Sequence, residues 1–281
     1  MKNSDAVTDR HISRRTRKGS ILKWIGLTIL FLFGCVLAGS VKRKYEQPLE
    51  RSPSNTTDES WAAKSYGFAP HPDDFHDPVI QIYASRTRGS KGALAVHTWI
   101  ATKRPGADRY FISQVIGWRL RRNGTALFTE PGVPDREWYG NEPTLLLDLR
   151  GAEVEQLIDK VDAAIENYPW TGEYTVWPGP NSNTFIAWLG LQIPELNLDL
   201  PSTAIGKDWR PMNETFGMSA SGSGVQASLY GLLGATVGIA EGLELNILGL
   251  NVEFDVFDLA LEIPGIGRIG KQESLNSEIA Y

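Results

Sequence analysis

A serine stands between two asparagines where a stiff turn hands over to an apolar run: Trp177-Pro178-Gly179-Pro180-Asn181-Ser182-Asn183-Thr184-Phe185. Pro178 and Pro180 restrict φ and Gly179 permits a sharp reversal, so the backbone is held to one course. Asn181, Ser182, Asn183 and Thr184 all suit a helix N-terminus, and Phe185-Ile186-Ala187-Trp188-Leu189 would anchor that helix in a core. A hydroxyl at this place is either a cap or a nucleophile. As a nucleophile it needs a base in contact and a third group that orients the base. The chain holds four histidines, His11, His71, His76 and His97, and only His97 falls in an expected core strand. Ser182 and His97 are therefore the candidate nucleophile and base. Asn183 flanks the serine, and Gln114 or Asp108, on or beside the neighbouring strand, could orient the ring. The helix dipole and free N–H groups would favour negative charge on a substrate oxygen. The plain alternative is a capping serine and a satisfied core histidine.

Other groupings say less. His71-Pro72-Asp73-Asp74-Phe75-His76-Asp77 brings imidazoles and carboxylates close enough for a divalent ion, with His71, Asp73, Asp74 and His76 as the ligands. Its His-Pro-Asp-Asp part looks like the metal motif of sugar N-deacetylases, but no second histidine cluster follows downstream. A polar, proline-rich loop is the default, and no cofactor is expected. Gly206-Lys207 lacks the spaced upstream glycine of a phosphate loop. Ser219-Ala220-Ser221-Gly222-Ser223-Gly224 fails the spacing of a nucleophile elbow and reads as a flexible joint. Trp99, Trp138, Tyr139, Tyr174 and Trp177 could line a substrate groove for sugar or acyl chains.

These residues need elements to position them. Val79 to Tyr83 is a short apolar run. Gly92 to Ala101 reads as a strand carrying His97 and Trp99 on one face. Arg109 to Trp118 reads as a second strand after a Pro-Gly loop, and Thr125 to Thr129 as a third after the turn Asn123-Gly124. Gly151 to Tyr168 is the clearest helix, with Val154, Leu157, Ile158, Val161, Ile165 and Tyr168 on one face and Pro169 as its stop. Glu173 to Trp177 would be a strand, followed by the turn and the helix after Ser182. From Gly224 onward apolar residues alternate with polar ones among many glycines, which reads as an antiparallel β appendage.

The chain of 281 residues is 42% hydrophobic and 22% charged, a composition that folds. Ile21 to Ser40 is almost wholly apolar, and about 20 residues of helix span about 30 Å, the thickness of a bilayer core. The segments are then a basic cytoplasmic stem (1–20), a transmembrane helix (21–41), a linker (42–77), an α+β body (78–210) with His97 and Ser182, and a β-rich appendage (211–281). The larger basic cluster precedes the apolar run, so the expected site is the bacterial cytoplasmic (inner) membrane, single-pass, with the body periplasmic or at the cell exterior. Residues 1–44 carry ten Lys/Arg against two Asp/Glu, while the whole chain has net charge −5. The remainder is strongly acidic, which argues against nucleic acid as a partner. Membrane lipid is the expected partner of the stem, with a peptide, glycan or lipid as substrate of the body.

A match appears at this point. Val96-His97-Thr98-Trp99-Ile100-Ala101, Trp138-Tyr139-Gly140, the run from Trp177 to Phe185, Thr203-Ala204-Ile205-Gly206-Lys207-Asp208 and Gly222-Ser223-Gly224-Val225-Gln226 resemble the bacterial DUF3750 family over about residues 78–270. That resemblance brings no activity with it. His97 on a strand followed by Asn181-Ser182-Asn183-Thr184-Phe185 at a helix start also looks like circularly permuted papain-like enzymes, the superfamily of lecithin–retinol acyltransferases and PPPDE desumoylating peptidases. That likeness implies an α+β fold, an antiparallel sheet with packed helices, and it makes His97 the base with Ser182 in the place of the nucleophilic cysteine. The expected function is a serine-variant hydrolase or acyltransferase acting on amide or ester bonds of cell-wall peptide or lipid. The alternatives are a non-catalytic envelope binding module and a metal-dependent deacetylase.

Overall fold

The computed structural model describes residues 58–271, together with individual helical positions between 20 and 41. Within 58–271 the first regular element is a single turn, α1 (Glu59–Ala62), capped by Asp58, whose carboxylate accepts from the N–H groups of Ser60 and Trp61. Two antiparallel sheets follow. The first has five strands, β1 (Val79–Arg86), β2 (Val96–Lys103), β3 (Tyr110–Val115), β4 (Leu127–Gly132) and β5 (Pro143–Arg150), in the order β4-β3-β2-β1-β5. Helix α2 (Gly117–Asn123) follows β3, and α3 (Val154–Glu166) follows β5. Helix α4 (Ser182–Gln192) packs on β2 and β3.

Strand alternation splits the core in two. Ile80, Ile82 and Ile100 face α3 and α4 with Val154, Ile158, Val161, Phe185, Ile186 and Leu189. Val79, Tyr83, Trp99, Ala101, Tyr110 and Ile112 face the other way, against Trp61 and Ala69. The chain before Pro78, expected as tether, is thus packed from residue 58 onward. Asp135 ties it down, accepting from Ser65 Oγ (2.8 Å) and from the N–H groups of Tyr66, Phe68 and Ala69.

The second sheet has seven strands in simple sequence order: β6 (Phe216–Met218), β7 (Gly224–Leu229), β8 (Leu233–Gly238), β9 (Gly242–Ile247), β10 (Leu250–Asp255), β11 (Ala260–Ile263) and β12 (Gly267–Ile269). Asp208 fastens it, accepting from the side-chain amides of Gln226 (2.8 Å), Asn246 (2.9 Å) and Asn251 (2.5 Å) on three of its strands. Lys207 is ion-paired with Glu244 beside it.

Two expectations are corrected. The chain is mostly sheet with short helices, whereas an α+β body of papain-like type with packed helices was expected. Glu173 to Trp177 forms no strand, because Thr175 N–H donates back to Pro180 O (2.8 Å) and curls the segment into a turn. The residues after 211 supply a larger sheet than the body itself. Secondly, among the described residues no helix is long and apolar enough to cross a membrane, which goes against the single-pass inner-membrane anchor and the periplasmic placement tied to it. Nine of the 21 residues of 21–41, and all of 1–19, lie outside the described residues. Of the positions described, Cys35 is buried, and the space beside Gly39 is closed by Ala93 O and Gly265, so part of that run packs on the body.

Candidate active site

The start of α4 is held by its asparagines. Asn181 is the cap: its Oδ1 accepts from Asn183 N–H (2.9 Å) and Thr184 N–H (3.3 Å), while Thr184 Oγ1 accepts from Asn181 N–H (3.1 Å). This reciprocal pairing satisfies donors that a helix N-terminus otherwise leaves open. Asn181 Nδ2 donates to Ile205 O (3.0 Å), and Thr184 Oγ1 donates to Gly206 O (2.8 Å). Asn183 Nδ2 donates to Val96 O (3.1 Å) and Ile205 O (2.8 Å), and its Oδ1 lies 3.0 Å from Thr98 Oγ1. Asn183 thus ties α4 to β2 and to the 205–206 loop. Gly206 has φ +100°, and a Cβ there would fall 2.5 Å from Asn181 Nδ2, so the loop needs a glycine to come this close.

Ser182 is what remains. It is the first helical residue, it is buried, and Thr98 Oγ1 lies 3.2 Å from its carbonyl oxygen. Neither its hydroxyl nor its N–H finds a partner among the described residues. The cap is Asn181, and Ser182 is not spent on it. Its place in the chain puts an unengaged hydroxyl at the positive end of a helix dipole.

His97 lies near the start of β2, on the stretch that has left β3. The two strands pair only from Ile100↔Ser113 to Thr102↔Phe111, and toward His97 they part. Its ring stacks on Trp138 with centroids 4.0 Å apart and planes 10° from parallel. Nε2 lies 2.9 Å from Gln114 Oε1. An amide oxygen only accepts, so this bond puts the ring proton on Nε2 and leaves the Nδ1 lone pair bare. Burial pushes the His97 pKa down to about 4; the Gln114 bond opposes the shift and the Arg136 charge adds to it. The imidazole is therefore neutral at pH 7, in the state a base requires.

Ser182 and His97 line one cavity of about 310 Å³ whose walls are mainly apolar: Leu94, Val96, Tyr174, Val176, Trp177 and Ile205. No hydrogen bond joins them. Thr98 turns its side chain toward α4, and by alternation along β2 His97 turns to the opposite face, so the pair meets at the cavity rather than in direct contact. Gln114 lies on the far side of the ring and borders a second cavity of about 300 Å³ with Trp118, Arg119, Arg136, Trp138 and Tyr139.

The expected groove residues divide accordingly. Tyr174 and Trp177 line the serine cavity, and Trp177 Nε1 is braced by Leu248 O (2.9 Å) from the β9–β10 turn. Trp138 and Tyr139 line the second cavity. Trp99 is buried, with Nε1 donating to Pro134 O (2.8 Å), and lines neither. Asp108 pairs with its neighbour Arg109 on the surface, away from the ring. Of the metal candidates, His71 accepts from Asp73 N–H (3.3 Å) and packs edge-on against Trp61. Among the described residues no three His, Cys, Asp or Glu side chains are grouped to hold a metal ion. Lys91 and Leu94, from the 3₁₀ turn at Gly89–Ala93 and its end, and Ile205, from a loop, also reach the cavity and were not among the expected site residues. Only Ile205 carried a signal, as part of the Thr203–Asp208 motif, whose carbonyls now appear as the acceptors that fix α4.

No curated protein and no solved structure matches the chain, so the likeness to permuted papain-like enzymes finds no support there. Residues 77–209 match a family model described as a protein of unknown function, DUF3750. The match spans the five-stranded sheet, His97, Gln114, Ser182 and the loop that holds α4, and residues 77–209 form a domain of the DUF3750 family.

Proposed function

We propose that Ser182, His97 and Gln114 form an acyl-transfer site that hydrolyses or transfers an acyl group from an amide or ester. In this reading Ser182 Oγ attacks the carbonyl carbon and its proton passes to His97 Nδ1. The Ser182 N–H and the N-terminus of α4 face the developing oxyanion. The C–N or C–O bond then breaks, and the imidazolium returns the proton to the leaving amine or alcohol. Water or a second nucleophile releases the acyl group from Ser182, with His97 again acting as base. Gln114 is the positioning residue that keeps the proton on Nε2.

The observation that carries the reading is the His97–Gln114 bond, which bares Nδ1 on a ring lining the same cavity as an unengaged serine hydroxyl. The direct Ser182–His97 bond is expected to close when an acyl donor enters, since catalytic hydrogen bonds commonly tighten only in the complex. The apolar wall suits the acyl chain of a lipid or an apolar side chain of a peptide.

Labelling by a fluorophosphonate probe tests this. Labelling of the wild-type chain that is lost in Ser182→Ala and in His97→Ala is expected. A correctly folded wild-type chain that takes no label, and that hydrolyses no ester or amide from a panel of acyl substrates, would sink the proposal. One observation favours a second reading, a non-catalytic binding pocket: His97 points from the face of β2 that is turned away from α4, the helix that carries Ser182, and the two make no bond. Unchanged ligand affinity in both variants, without turnover, would favour it.

A further inference from the structure

The seven-stranded sheet is built the wrong way round for a sheet facing water. Along β7 to β10 it is the polar residues that are buried, Gln226, Thr236, Glu244 and Glu253 among them. The apolar residues alternate with these and point outward. Register aligns them into a row with one residue from each strand: Met218, Val225, Val237, Leu243, Phe254, Leu261 and Ile269. Six of the seven are between 39% and 56% exposed, and Leu261 is half-buried. A second row, Phe216, Ala227, Ala235, Leu245 and Val252, runs beside it. Neither row contains a charged residue. An antiparallel sheet that keeps one face in water carries its polar residues there.

We infer that this face is the interface of a symmetric dimer, packed sheet on sheet against a second copy of the chain. Area is the first argument. Seven strands about 4.8 Å apart, four of them six residues long and three of three or four residues, at about 3.3 Å per residue give a flat face of roughly 540 Å² per copy. That is near the upper limit of roughly 300–600 Å² for the largest apolar patch on a typical monomer. Two such faces meeting bury about 1,100 Å² before side-chain relief is counted, above the roughly 1,000 Å² that a specific interface should clear. Charge is the second argument. Between residues 216 and 271 the only basic residues are Arg268 and Lys271, and they pair with Asp255 (2.6 Å) and Asp258 (2.9 Å). The face therefore offers no spare cation to an anionic bilayer, and no charge pattern to a charged protein partner. A uniform aliphatic face is complementary to itself, and two-fold pairs are the commonest closed assembly. Aligned sheets pack about 10 Å apart with their side chains interdigitated.

The test uses the full chain carrying Cys35→Ser, which removes its sole cysteine. Single cysteines are placed at Val237 and Leu243 in the row, and at Glu155 on the exposed side of α3 as a control. A bismaleimide of about 10 Å reach, matched to the spacing of packed sheets, should link copies through the row positions and not through Glu155. Sedimentation should give twice the monomer mass, and Leu243→Lys should weaken the dimer at least ~100-fold with an unchanged melting temperature at monomer concentrations. A chain that stays monomeric at high concentration overturns the proposal. So does a dimer that Leu243→Lys leaves intact, equal cross-linking through Glu155, or a monomer that co-floats with phosphatidylcholine vesicles through this face.

Discussion

Gln114 Oε1 accepts the Nε2 proton of His97 at 2.9 Å, across the opening where β2 and β3 part, and so leaves the ring lone pair on Nδ1. The bond joins two adjacent strands that no longer share backbone bonds at that level. It also links the two cavities on either side of the ring, since His97 borders one and Gln114 the other. A donor that fits the serine cavity would thus meet a ring whose tautomer is already chosen.

Gln114→Glu should raise the His97 pKa, because a carboxylate would replace an amide as acceptor. The acid limb of kcat/KM, expected near pH 4 in the wild type, should move upward by at least about one unit. Gln114→Ala should instead leave a buried N–H without a partner, costing about 1–3 kcal/mol of stability along with activity. An unmoved acid limb in the Glu variant would rule out Gln114 as the positioning residue.

Stability should depend on pH through His97. Its folded pKa is about 4, below its ordinary value of 6.5, so the unfolded chain binds the extra proton first. The contribution of the neutral ring is complete above about pH 6.5 and is lost as pH falls toward 4. The loss is on the order of 3 kcal/mol, from about 1.4 kcal/mol per pKa unit. Urea melts of the wild type and His97→Gln between pH 4 and 7 check this; the variant should show the shallower fall.

Ser182→Ala and Asn181→Ala should separate chemistry from capping. The Ser182 hydroxyl has no partner among the described residues, so its removal should change stability by less than about 0.5 kcal/mol while abolishing probe labelling. Asn181 caps α4 and also binds Ile205 O. Its loss should cost about 2 kcal/mol or more. Chemical denaturation of both variants decides, and equal costs would contradict the assignment of Asn181 as the cap.

Glu253→Gln should stabilise the chain, increasingly so as pH rises. Burial, together with the nearby carboxylates of Asp199, Glu244 and Glu262, holds the Glu253 carboxyl well above the usual carboxylate range. A raised folded pKa favours folding below the unfolded value and loses that contribution as pH climbs. Thermal melts at pH 6 and pH 9 should show a larger gain for the variant at pH 9.

Asp208→Ala should release the second sheet from the first. Three side-chain amides on β7, β9 and β10 converge on this one carboxylate. Hydrogen bonds to a charged group contribute about 1.5–3 kcal/mol each, so a loss of at least about 3 kcal/mol is expected. Hydrogen exchange should then open β7 to β10 ahead of the five-stranded sheet.

Local pattern was enough for much of the body. The helical spacing from Val154 to Ile165 and the turn before Ser182 led to α3 and α4, and alternation led to β2 and to the antiparallel strands after Gly224. Boundaries moved where loops intervened. A 3₁₀ turn at Gly89–Ala93 replaces the front of the strand expected over Gly92 to Ala101, and α2 begins at Gly117 within the strand expected over Arg109 to Trp118. Alternation after Gly224 also fits either face outward. Only the convergence of Gln226, Asn246 and Asn251 on Asp208 shows that the polar face turned in.

From sequence alone, Ser182 stood at a helix start on a stiff turn, His97 stood in a core strand, and Gln114 stood on the strand beside it. Those are properties of residue type and local spacing, which short-range sterics and periodicity fix. The Asn181 cap is made by bonds two and three residues long, but its anchoring to Ile205 O, which ring nitrogen is bare and whether serine and histidine share a cavity depend on contacts between residues 17 to 87 positions apart. Such contacts exist only once both sheets have closed around α4 and the 203–208 loop. Tertiary packing therefore anchored the capped end of α4 to the 205–206 loop, put the ring proton on Nε2, and left the Ser182 hydroxyl facing an apolar cavity.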